Sequence, residues 1–200
     1  MTALQTESSR AERLDLAVLY AEVRGFTRVS AILEPAVVIA RISEFFTMVV
    51  AAVEAHEGVV RSVLNDNLIA TFGGAANALH AVEAAQEIQR NFPQIEEAWQ
   101  HDYGIRAAAA MGLHRGDVVV GPVSGAPPVR IITIGDGVSV AERLLHRARA
   151  GETILSKTVM DGLDPAATNI DVQKLPDLII QRREPLEIYA IALDTRLDFT

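Results

Sequence analysis

The chain has 200 residues, half of them hydrophobic and 22% charged, with 18 Lys plus Arg against 26 Asp plus Glu and a net charge of −8. A chain of this length buries roughly 70% of its unfolded surface as one domain, and the composition excludes a disordered or fibrous polymer. The acidic balance argues against nucleic-acid and anionic-membrane partners, and the absence of cysteine excludes disulfides, zinc–thiolate sites and thiol catalysis.

Residues 1–15 are polar and mixed in charge, without the apolar stretch of a secretory signal. They are expected to precede one domain over 16–192, with 193–200 as a tail. The apolar stretches are short, 49–53 and 107–113 among them, so no membrane span is expected and a cytoplasmic location follows.

Leu16-Ala17-Val18-Leu19-Tyr20-Ala21 reads as a strand buried on both faces. Pro35 then opens a helix whose Val37, Val38, Ile42, Phe45, Phe46, Val49, Val50 and Val53 form one apolar stripe, ended by Gly58. Two β-rich runs, 59–64 and 68–72, flank Asn65-Asp66-Asn67 and predict a tight hairpin. A second helix runs from Ala76 to about Arg90, and Pro93 interrupts a pattern that continues toward Gln100. Residues 105–113 and 118–121 read as two strands around Arg115-Gly116-Asp117, and 125–128 as a loop. A strand over 130–134 is followed by Gly135-Asp136-Gly137 and a helix to about Arg149. A strand over 153–156 and a final pair, near 178–181 and 186–191, complete the chain. This order predicts an α+β sandwich, a mixed and mainly antiparallel sheet covered by helices. The five histidines are scattered and form no zinc-protease pattern, and His114, inside a strand, reads as structural.

Four segments in order carry a resemblance: Leu19-Tyr20-Ala21-Glu22-Val23-Arg24-Gly25-Phe26-Thr27; Asn65-Asp66 in a hairpin ending in Phe72-Gly73; 112–121, beginning Gly-Leu-His-Arg-Gly-Asp; and 134–144, beginning Ile-Gly-Asp-Gly-Val-Ser. The chain resembles the class III adenylate/guanylate cyclase catalytic domain over about 16–191, as a divergent member with a ferredoxin-like sandwich. The resemblance implies conversion of a nucleoside triphosphate to a 3′,5′-cyclic monophosphate and pyrophosphate. Two divalent ions, Mg or Mn, would be held by two carboxylates at a head-to-tail dimer interface.

Carried over residue by residue, Glu22 and Asp66 take the metal positions, Glu22 where the family has Asp. Gly25, Phe26 and Thr27 take the phosphate-cradling turn. The purine-reading positions, Lys and Asp or Thr in the family, fall at Ser62 and Ile132, and the transition-state Asn falls at Ser139. Arg143, which contacts the α-phosphate in the family, keeps its type. A serine hydroxyl cannot charge-assist a purine edge as lysine does, and isoleucine offers no hydrogen bond. The expectation is therefore a catalytically degenerate, dimeric signalling or regulatory module in intracellular signal transduction, with a nucleotide or another small molecule as its ligand. The alternatives are an adenylate or guanylate cyclase with an atypical site, and a half-site subunit whose partner in a heterodimer supplies the missing groups.

Overall fold

The computed structural model describes residues 10–123, 130–164 and 170–191. The predicted 125–128 loop, the 193–200 tail and residues 1–9 of the N-terminal segment lie outside them. Among the described residues the sheet has eight strands: β1 (Glu12–Arg24), β2 (Val59–Leu64), β3 (Asn67–Phe72), β4 (Ala108–Val123), β5 (Arg130–Ile134), β6 (Thr153–Ser156), β7 (Val172–Leu178) and β8 (Leu186–Ile191). Their order is β2-β3-β1-β4-β6-β8-β7, with β5 paired to the distal part of β4, and only β4–β6 is parallel. The helices are α1 (Phe26–Ile32), α2 (Pro35–Ala55), α3 (Asn77–Tyr103), α4 (Asp136–Arg147) and α5 (Lys157–Met160). This is the predicted α+β sandwich.

The side chains of β1 alternate between two helical layers, as the pleat requires. Ala17, Leu19, Ala21 and Val23 join the larger core with α2 and α3, whereas Leu16 and Val18 pack with Val118, Val120 and Ala141 of α4. In the larger core Phe45 of α2 meets Phe92 of α3 at a ring separation of 6.0 Å, and Phe92 meets Trp99 at 6.4 Å, both edge-on. The Trp99 indole donates to Glu44 of α2 at 3.0 Å.

Several elements differ from expectation. β1 starts at Glu12, because pairing with β4 extends its polar end to Glu12↔Val120. β4 is one strand through Arg115-Gly116-Asp117, since the register with β1 continues unbroken and Arg115 pairs with Asp15 at 2.7 Å instead of turning. α3 continues through Pro93, held on both sides of it by the aromatic contacts, and ends at Gly104 in the left-handed region, φ 64°. The hairpin turn is Asn65-Asp66 alone, with Asn65 at φ 56° and Asn67 already in β3. β7 lies at Val172–Leu178, earlier than expected, and Arg182, φ 63°, falls in the turn that follows. α4 stops at Arg147. α2, at 21 residues with an 18-residue stretch of mean hydropathy 2.0, is long and apolar enough to cross a membrane by length and composition alone. In the fold Ile42, Phe45, Val49 and Val53 of the predicted stripe are buried against the domain core together with Ala52, whereas Val37, Val38, Phe46 and Val50 are half-buried.

Candidate functional site

The antiparallel register of β1 with β3 pairs Glu22 with Asn67, the residue following Asp66 at the hairpin tip. The two carboxylates assigned to metal are thereby brought together, Glu22 buried and Asp66 half-buried. Burial pushes the Glu22 carboxyl above its ordinary value and the Asp66 charge adds to the rise, against the pull of Arg24 and His146. Asn67 Nδ2 donates to Asp66 Oδ1 at 3.1 Å.

Glu22 already has a cation. Arg24, two residues along the same side of β1, is ion-paired with its carboxylate. The same guanidinium donates to the carbonyls of Leu145 at 2.8 Å and Ala148 at 3.1 Å, at the C-terminal end of α4. Among the described residues no group of three or more His, Asp or Glu side chains converges as metal ligands. The donors present do not fit a pair of divalent ions: one carboxylate is charge-neutralised by a guanidinium, and a cation added there would lie against that positive charge.

The turn after β1 has its own structural reasons. Gly25 sits at φ 91°, and a Cβ there would lie 2.7 Å from the Arg106 carbonyl oxygen. Phe26 packs against the larger core. Thr27 lies in α1, and its side chain is outside the described residues.

Ser62 and Ile132 are both exposed, on β2 and β5, and these strands approach each other in space although they do not pair. β2 carries a bulge between Val60 and Ser62, where Arg61 is inserted and donates through Nε to Thr71 Oγ1 at 2.7 Å. The Ser62 register partner is Ile69, so a short hydroxyl stands next to an apolar neighbour at the purine-reading position. Ser139 Oγ donates to the Gly135 carbonyl at 3.3 Å, within its own helix. Arg143 is exposed one turn further along α4.

Four neighbours of this cleft were not assigned from the sequence. Arg24 was read only as part of a motif. Tyr20 lies on the same strand, and burial, then Glu142 and Glu22, raise its hydroxyl pKa. Glu142 and His146 complete the α4 side that faces the end of β1. The spacing Ser139, Glu142, His146 places the three on one helical face, which was the available signal.

The family model for the adenylate and guanylate cyclase catalytic domain matches residues 9–192. An adenylate cyclase of Anabaena cylindrica is 27% identical over 132 residues, covering 64% of this chain and 26% of that protein, so the chain spans about a quarter of that relative. The crystal structure of the adenylyl cyclase CyaB from P. aeruginosa superposes with a TM-score of 0.84 at 21% identity, over 96% of this chain and 100% of that one. A non-canonical dimeric guanylyl cyclase domain of the RhoGC fusion protein from the aquatic fungus Blastocladiella emersonii superposes with a TM-score of 0.74 at 16% identity, over 92% of this chain and 97% of that one. At these identities the superpositions speak for the fold, and the family match covers nearly the whole chain. With its mixed sheet, its Asp66 hairpin and its ordered motifs, the chain belongs to the adenylate and guanylate cyclase catalytic-domain family.

Proposed function

We propose that this domain no longer cyclises nucleotides and works as a dimeric signalling or regulatory module in the cytoplasm. Its cleft over β1, β2, β5 and α4 then binds a nucleotide or another small molecule. The observation that carries this reading is the chemistry at three positions. Ser62 and Ile132 offer no cationic or carboxylate group to a purine, and the Ser139 hydroxyl is bonded to the Gly135 carbonyl. Loss of one preorganised donor to a transition state costs about 10² to 10³ in kcat, so several together leave little turnover even without strict additivity.

The dimer is supported by the dimeric state of the RhoGC domain and by the surface of β5, where Ile132 and Ile134 stand 42% and 49% exposed on one side of the strand. A second reading, an atypical adenylate or guanylate cyclase using Mg or Mn, draws on the retained Asp66 and Arg143 and on the adenylate cyclase relative. A half-site subunit completed by another cyclase domain is its heterodimeric form. One assay separates them: ATP or GTP with Mg²⁺ or Mn²⁺, read as cAMP or cGMP. The pure chain is expected to stay at background. Turnover at an ordinary cyclase rate, abolished by Asp66→Ala, would overturn the non-catalytic reading, and activity appearing only on mixing with an intact cyclase domain would favour the half-site.

A further inference from the structure

We propose that Glu22 is committed to Arg24 instead of to the first divalent ion, so that the carboxylate end of this cleft is neutralised from within and works without metal. The inference rests on the non-catalytic reading and gives it a structural cause.

Arg24 belongs to the motif that carries the family resemblance, and Glu22 is the residue that departs from it. Glu22 and Arg24 are two apart on an extended strand, so their side chains leave the same face of the sheet. Glutamate is one methylene longer than the aspartate that stands here in the family, and its carboxylate is ion-paired with the guanidinium. Arg24 is in turn oriented by two α4 carbonyls, at 2.8 Å from Leu145 and 3.1 Å from Ala148. These belong to the negative end of the helix, where a fixed cation is favoured. The planar guanidinium serves both partners at once: one terminal nitrogen faces the carboxylate and the other the helix end. The pair is also sheltered, with side chains 29% and 12% exposed, so water screens it little. A divalent ion would have to displace or confront this held cation, whereas Mg²⁺ sites ordinarily rely on one or two uncommitted carboxylates.

The test is Mn²⁺ binding to the whole chain, followed by the electron paramagnetic resonance signal of the free ion. Wild type is expected to show no saturable site at submillimolar Mn²⁺. Glu22→Asp, whose carboxylate is drawn back by one methylene, is expected to tighten Mn²⁺ binding by about tenfold or more, the scale on which ligand placement alters metal affinity. Adding Asp66→Asn to Glu22→Asp should abolish the gain. Arg24→Gln should also raise Mn²⁺ uptake, and it should speed amide exchange in the last turn of α4. If Arg24→Gln does not fold, Glu22→Asp alone decides. Submillimolar Mn²⁺ binding by wild type that is lost on Asp66→Asn, or no gain in Glu22→Asp, overturns the proposal. Metal uptake without turnover would overturn this inference alone, whereas cyclic nucleotide production by wild type would overturn the non-catalytic reading as well.

Discussion

His114 Nδ1 lies 2.8 Å from the Ser156 hydroxyl, a buried contact that ties β4 to the end of β6. Burial, reinforced by the positive charge of Arg183, pulls the imidazole down to about 4. Below the ordinary histidine value of about 6.5 the unfolded chain therefore takes up a proton that the folded chain resists. Stability from this residue is fully present above about pH 6.5 and is lost as pH falls toward 4, by about 3 kcal/mol at that limit. Urea unfolding at pH 7 and pH 4.5, for wild type and His114→Gln, checks it: the variant should lose less stability between the two. An equal loss in both would remove the assignment.

Gly112 marks where α4 rests directly on β4. A Cβ there would lie 2.3 Å from the Ala141 carbonyl oxygen and 2.4 Å from the Leu145 nitrogen, both backbone atoms. Gly112→Ala is therefore expected to push α4 off the sheet and to cost about 1–3 kcal/mol or more, as overpacking does. Thermal unfolding gives the size of the effect, and a variant as stable as wild type would contradict the packing described.

If missing groups silence the cleft, restoring them should wake it. A chain carrying Glu22→Asp, Ser62→Lys, Ile132→Asp and Ser139→Asn is expected to exceed wild type by at least about 10²-fold in cyclic nucleotide output with Mn²⁺, the scale of one regained transition-state donor. Output is read by chromatography of the products. A folded quadruple variant as silent as wild type would place the defect elsewhere.

Ile134 stands 49% exposed on β5, so replacing it should disturb association more than folding. Ile134→Asp is expected to move the monomer–dimer midpoint in sedimentation to at least about tenfold higher protein concentration, the effect of losing one well-buried interface anchor. Unchanged association would exclude β5 from the contact.

Much of the scaffold was legible because periodicity carries it. The α2 stripe from Ile42 to Val53 and the Asn65-Asp66 turn stand where local pattern put them. Errors came where tertiary pairing overrode local signals. Arg115-Gly116-Asp117 has turn chemistry, yet β1 holds it extended, and Pro93 sits inside a helix kept continuous by Phe92 and Trp99. The cleft residues were found through ordered motifs, but their present bonds were not readable. No spacing rule reveals that Ser139 donates within its own helix, or that Arg24 reaches from β1 to the end of α4. Those contacts join groups far apart in the chain, and only the packed layers bring them within reach.

The long β1–β4 ladder also sets an order of events in the cell. Its register joins Glu12 to Val120 and Arg24 to Ala108, so the central pair of the sheet cannot close until the ribosome has released β4. Such distant pairings slow folding, because a large loop must close before any contact rewards it. During synthesis, β1 with its run of buried aliphatic side chains can pair with β3 early, but its other edge waits for β4. Nascent chains of this domain are expected to call on a chaperone in that interval.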